Sequence, residues 1–137
     1  MKIEQNAPVS YSQSIEINAS IQTIWPKWNE DITSAKINGK LEAGTTFTWK
    51  SGPGTITSKL EAVEKPHLIG WSGKLFGIKA VHIWKIDTIK GKSVVTTEES
   101  WSGLFASVFK KSSKKTLIKA IDTGLNRLKA AAEYSEK

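Results

Sequence analysis

Apolar and polar residues alternate from Val9 to Ile17. Tyr11, Ile15 and Ile17 fall on one side and Ser10, Ser12, Ser14 and Glu16 on the other, the period of a half-buried strand. Ile21 to Trp28 is a short apolar-rich piece interrupted by Pro26, read as one or two helical turns. Ile32 to Ile37 reads as a strand closed by the turn dipeptide Asn38-Gly39. Further strands are expected over 45–50, 55–63, 68–73, 79–89 and 93–101, separated by turns at Ser51-Gly52-Pro53-Gly54, Phe76-Gly77 and Lys90-Gly91-Lys92. From Leu104 onward the period becomes helical: Leu117, Ile118, Ile121, Leu125, Leu128 and Ala132 form one stripe, with lysines and Asp122 elsewhere around the helix. A helix of about 20 residues spans about 30 Å, enough to cross a small sheet. Hairpin-linked strands followed by one long amphipathic helix predict an α+β domain with the helix on one sheet face. No repeat or linker composition divides the chain, so residues 1–137 are expected to form a single domain.

Turn positions fix which residues share a face. A turn at Lys90-Gly91 or Gly91-Lys92 places His82, Trp84, Ile86, Val95, Thr97, Glu99 and Trp101 together. A turn centred on Phe76-Gly77 adds Ile69, Trp71 and Gly73. A turn over 51–54 aligns Phe47 and Trp49 with Ile56 and Ser58, and Leu60 follows by alternation. The opposite face, with Val81, Ile83, Lys85, Asp87, Thr96, Glu98 and Ser100, is more polar. The aromatic-rich face is either a core packed on the tail helix or the wall of a cavity, since small-molecule clefts are apolar with a few polar groups. His82 and Glu99 lie on it, and one of the two registers makes them direct cross-strand neighbours. A buried carboxylate must be paired, protonated or wetted. The two residues could form a structural hydrogen-bonded pair, orient a ligand, or act as general acid and base.

The absence of cysteine excludes disulfides, thiol catalysis and cysteine metal sites. Two histidines, His67 and His82, are too few for a histidine metal cluster. No metal and no cofactor are expected, and no phosphate-loop spacing occurs around Ser72-Gly73-Lys74. Neither a signal-type apolar segment nor a membrane-length apolar run appears, so a cytoplasmic protein without stable membrane insertion is expected. The net charge is +7, yet of twenty basic residues only Arg127 is an arginine. Arginine is the residue that reads bases and phosphates bidentately. The spread of lysines therefore points to a solvated surface rather than to nucleic acid.

Several segments resemble the START-like superfamily of polyketide cyclases, dehydratases and lipid-transfer proteins, also called SRPBCC, with its helix-grip fold. They are Ile15-Glu16-Ile17-Asn18-Ala19-Ser20; Trp25-Pro26-Lys27-Trp28-Asn29; Leu41 to Trp49; His82-Ile83-Trp84; Thr96 to Gly103; and the tail with Gly124-Leu125 and Leu128-Lys129. The resemblance implies a seven-stranded sheet curled around the last helix, with a hydrophobic tunnel between them. It implies no universal catalytic residues, and one branch of the superfamily activates a heat-shock chaperone. The resemblance also implies two helices between the first two strands, where this chain has room for a shorter helical segment. A wider tunnel mouth, a displaced tail helix or a partner chain, such as a second copy in a homodimer, would follow.

The expected function is binding of a hydrophobic small molecule as carrier or sensor. Its lining would come from Phe47, Trp49, Ile56, Ser58, Ile69, Trp71, His82, Trp84, Thr97, Glu99 and Trp101 on the sheet and Ile121 and Leu125 on the helix. Two alternatives stand beside it: a cyclase- or dehydratase-type enzyme using Glu99 and His82, and a protein-interaction module of the chaperone-activator type. Leu104, Phe105, Val108 and Phe109 run into the basic stretch 110–115, as a lid over the tunnel or as a contact with anionic membrane.

Overall fold

The computed structural model describes residues 1–34, 36–51 and 54–136, apart from the side chains of 30–34, 36–38 and 49–51. Strand β1 (Val9–Ile17) leads into helix α1 (Ile21–Ser34), and β2 (Lys36–Asn38) follows. Then come the hairpin-linked strands β3 (Thr46–Ser51), β4 (Gly54–Glu64), β5 (Leu68–Leu75), β6 (Ile78–Ile89) and β7 (Lys92–Ser102). A short helix α2 (Leu104–Val108) precedes the long helix α3 (Lys110–Ser135). The strands form one antiparallel sheet in the order β1-β7-β6-β5-β4-β3-β2. The seven-stranded sheet implied by the resemblance is thus six full strands and a three-residue edge strand, β2.

The hairpin registers match those read from the turns. Ile89 pairs with Lys92 across Lys90-Gly91, and Leu75 pairs with Ile78 across Phe76-Gly77. Both pairs of turn residues have positive φ, the mark of the two-residue turn that follows the strand twist. Phe47 faces Ser58, Trp49 faces Ile56, Trp71 faces His82, and Trp84 faces Thr97. A bulge between Leu60 and Ala62 shifts the later part of β4 by one residue. Val63 rather than Ala62 therefore stands opposite Ile69 and packs against the core.

Helix α3 has 26 residues, about 39 Å. It buries Leu117, Ile121, Leu125, Leu128 and Ala132 against the sheet, the stripe seen in the sequence, with Ser113 buried in the same row. Ile118 lies only half-buried beside it. Tyr11 and the C-terminal acids pin the helix. The Tyr11 hydroxyl donates to Asp122 (3.0 Å), and Glu133 and Glu136 accept the Asn18 and Ser20 amides (3.1 and 2.9 Å).

Two expectations change. Pro26 does not end the first helical piece, which runs fourteen residues from Ile21 to Ser34. The strand expected from Ile32 begins only at Lys36. Proline removes one helical hydrogen bond, but Ile24, Trp25 and Trp28 are buried in the core, and burial of such side chains offsets that loss. Ser20 caps the helix by accepting the Thr23 amide on its hydroxyl (3.2 Å). One helix therefore stands where the resemblance implies two, with Ile24, Trp25 and Trp28 buried against the core.

The outer sheet face, more polar in sequence, is covered in part. Val81, Ile83 and Ser100 are buried there. The N-terminal segment crosses them: Met1 reaches Gly70, the Glu4 amide donates to Ser100 Oγ (3.0 Å), and Lys79 pairs with the Glu4 carboxylate (3.0 Å). A methyl group on Gly70 would lie 2.3 Å from Met1 Sδ, so glycine makes room for the strap.

Candidate functional site

Neighbouring strands bring four polar groups to one spot on the inner face. His82 on β6 stands opposite Glu99 on β7, and its Nδ1 lies 2.8 Å from Glu99 Oε1. The other ring nitrogen, Nε2, lies 2.8 Å from Thr97 Oγ1. The second oxygen of Glu99 accepts a hydrogen bond from Trp101 Nε1–H. Alternation along β7 makes this arrangement, because residues 97, 99 and 101 all point to the same face.

Burial works against ionisation of Glu99, but the His82 charge and the hydrogen bonds from His82 and Trp101 outweigh it. The carboxyl is held below its ordinary value of 4.5. An ionised Glu99 takes the Nδ1–H of His82. That leaves Nε2 to accept the Thr97 hydroxyl proton when the ring is neutral and to donate when it is charged. The order hydroxyl, imidazole, carboxylate is that of a proton relay, but Thr97 is fully buried. What the cluster provides as it stands is a fixed, polar, charge-holding spot in an aromatic wall.

That wall is continuous. The Trp71 and Trp84 rings flank His82 with centroids at 4.8 and 5.5 Å, and Phe47 meets Trp71 at 6.0 Å. Trp28 of α1 meets Trp84 at 5.9 Å, and Trp25 meets Trp28 edge-on at 5.2 Å. The Trp84 tip lies against α3 at Gly124. Trp28 is buried, and its Nε1–H has no hydrogen-bond partner among the described residues, a group that buried indoles normally satisfy.

Exposure is graded along the inner face. Ile17, Leu60, Ile69, Ile86 and Val95 are fully buried. Towards α2, the inward residues Tyr11, Ile56, Ile78, His82, Glu99 and Trp101 are only half-buried. Solvent thus reaches the polar spot from the end where α3 begins. Among the described residues, other open grooves lie elsewhere. One of about 950 Å³ runs beside Asn18, Ser20 and Lys129, and one of about 350 Å³ lies over Thr57, Ser72 and Lys74; His82 and Glu99 line neither.

The expected lining residues divide accordingly. Phe47, Trp71, His82, Trp84, Thr97, Glu99 and Trp101 form one connected group through these contacts. Ile69, Ile121 and Leu125 are deep core. Ser58 is buried beside Gly73, where an added methyl would lie 2.7 Å from its hydroxyl, and Ile56 is half-buried one step nearer the edge. Trp49 stands in β3 opposite Ile56; its side chain lies outside the described residues. Sequence reasoning missed Trp28 as part of the wall because Pro26 was read as a break. It also missed Tyr11, although the strand alternation already placed it inward.

No curated protein matches this sequence. Solved structures share its fold at low identity. A hypothetical protein of Helicobacter pylori superposes with a TM-score of 0.80 at 16% identity, over 95% of this chain and 91% of that one. The Aha1 dimer protein of Colwellia psychrerythraea gives 0.65 at 18%, over 91% and 96%. DynU16, from the dynemicin biosynthetic locus, gives 0.70 at 15%, over 93% of this chain and 47% of that one. Residues 8–133 match the family described as polyketide cyclase / dehydrase and lipid transport, and the chain belongs to that family.

Proposed function

We propose that the protein binds a hydrophobic small molecule, a lipid, polyketide or similar compound, between the inner sheet face and α3, as a carrier or sensor. The observation that carries this reading is the graded exposure of the aromatic wall around the His82–Glu99 pair. A sealed core would keep a carboxylate dry or leave it out. Here an ionised Glu99 and a half-buried His82 sit between indoles of the wall, and Trp28 Nε1–H lacks an acceptor among the described residues. A ligand with an apolar body and one polar group suits that distribution, since few, fixed polar groups orient a molecule held mainly by apolar contact. It enters from the α2 end, past Tyr11, Ile78 and Trp101.

Native mass spectrometry of freshly purified protein, followed by solvent extraction, tests this directly. The expected spectrum shows the 15.1 kDa chain with a stoichiometric apolar adduct. A bare chain that also fails to bind an environment-sensitive apolar dye would overturn the reading. Pairing of two copies, one of the three consequences read from the short first helical segment and with a precedent in the Aha1 dimer, would show in the same spectra as twice the chain mass.

The relay order Thr97–His82–Glu99 favours one second reading, acid–base chemistry on a bound hydrophobic substrate. In that reading a substrate hydroxyl or enolisable C–H displaces the Thr97 hydroxyl from Nε2. Glu99→Gln separates the two: a carrier keeps its ligand, whereas an enzyme loses turnover while binding persists.

A further inference from the structure

Helix α2 is built the wrong way round for a buried element. Its smallest side chain, Ala106, is fully buried, while Leu104, Phe105 and Val108 are 79%, 44% and 64% exposed. Phe109, at the break between α2 and α3, is 50% exposed and stacks on Phe105 with centroids 4.7 Å apart. The β5–β6 turn adjoins this helix, since a methyl built on Gly77 would lie 4.0 Å from Phe105 Cβ.

That turn carries Phe76, 65% exposed at a φ of 49°. Asparagine or glycine adopts this conformation at lower cost than an aromatic residue. The Phe76 ring lies over Gly54 of β4, where an added methyl would be 3.1 Å away, yet most of it stays open to solvent in a strained turn, and an external contact explains that exposure better than the fold does.

Charge selects the partner. Lys110, Lys111 and Lys115 are exposed directly after the apolar residues. No aspartate or glutamate occurs from residue 100 to residue 121. A protein partner would need a matching acidic, apolar surface. A lipid bilayer with anionic headgroups offers that combination over any footprint. No helix of the described residues is long and apolar enough to cross a membrane, which leaves contact with one leaflet.

We propose that this end of the molecule docks peripherally on an anionic lipid surface, with α2 and the β5–β6 turn in the headgroup layer and the lysines against lipid phosphates. The surface stands on these exposed residues alone and does not depend on what the interior binds.

Co-sedimentation of the full chain with phosphatidylcholine vesicles, with and without phosphatidylglycerol, tests the proposal. Binding is expected only to the anionic vesicles, weakening by an order of magnitude or so at about 0.5 M salt. Lys110→Gln with Lys111→Gln should weaken it about fivefold for each lysine, and Leu104→Ser with Val108→Ser by about tenfold or more. Phe76→Asn should lower binding while keeping or raising the melting temperature. Absence of pelleting by the unaltered chain at low salt overturns the proposal, as does undiminished binding in both double variants. So does a two-chain light-scattering mass that falls to one chain in Leu104→Ser/Val108→Ser, since the patch would then belong to a second copy. The melting temperatures of the double variants should match the parent, because the substituted side chains are exposed.

Discussion

Glu99 holds two donors with two oxygens, His82 Nδ1–H on one and Trp101 Nε1–H on the other. A carboxylate can accept both, but an amide has one acceptor oxygen and an N–H₂ group that competes for the second place. Glu99→Gln keeps one acceptor for Trp101 Nε1–H and turns an N–H₂ towards Nδ1, so His82 must take the other neutral tautomer and the charge-assisted bond is given up; hydrogen bonds to charged groups contribute about 1.5–3 kcal/mol. Urea unfolding should show the unfolding free energy falling by that amount, as a lower midpoint with an unchanged slope; an unchanged midpoint would mean that the pair contributes nothing to the fold. The cross-strand meeting of His82 and Glu99 was legible because it needs only strand parity and the turn at Lys90-Gly91. The Trp101 and Thr97 bonds were not legible, since they depend on rotamers that a face assignment leaves open. The open N–H of Trp28 was hidden for a different reason. It requires knowing that burial of Ile24, Trp25 and Trp28 carries α1 past a proline.

At the scale of the element, α3 shows how a sequence stripe becomes a fitted surface. Gly124 lies inside this helix, where glycine costs about 1 kcal/mol relative to alanine. Its neighbour is the tip of Trp84, and an added methyl would lie 3.6 Å from that ring, an ordinary van der Waals contact. The approach of helix to wall therefore does not demand glycine. Gly124→Ala is expected to stabilise the protein by about 0.5–1 kcal/mol, seen as a higher midpoint in thermal or urea unfolding. Destabilisation would show that α3 sits closer to Trp84 than this spacing. The helical stripe and the hairpin registers were readable because period and turn chemistry are local. Burial of Val81 and Ile83 was not, because nothing within β6 announces that the segment from Met1 to Glu4 lies on this face.

At the scale of the whole molecule, acid pairings join segments far apart in the chain. Glu136 receives the Ser20 amide and the Thr23 hydroxyl, which lowers its carboxyl, and so ties the end of α3 to the start of α1. The hydrogen bond and charge of Lys79 lower Glu4 and tie the N-terminal strap to β6. Glu99, lowered despite its burial, joins β6 and β7. A carboxylate whose value is depressed on folding contributes stability that is fully present above its unfolded value and lost as the pH falls through its folded value. All three act in the same direction. Their contribution should therefore stay level as the pH falls from 7 to about 5, and then be lost below the ordinary carboxyl value of 4.5. Glu136→Gln should flatten part of the resulting decline while leaving the inner face untouched, and Glu99→Gln should flatten another part. Unfolding free energies measured every half unit from pH 7 to pH 3 on the three proteins decide the matter. A parent curve that shows no decline below about pH 4.5 would show that these carboxylates are not what holds the distant segments together.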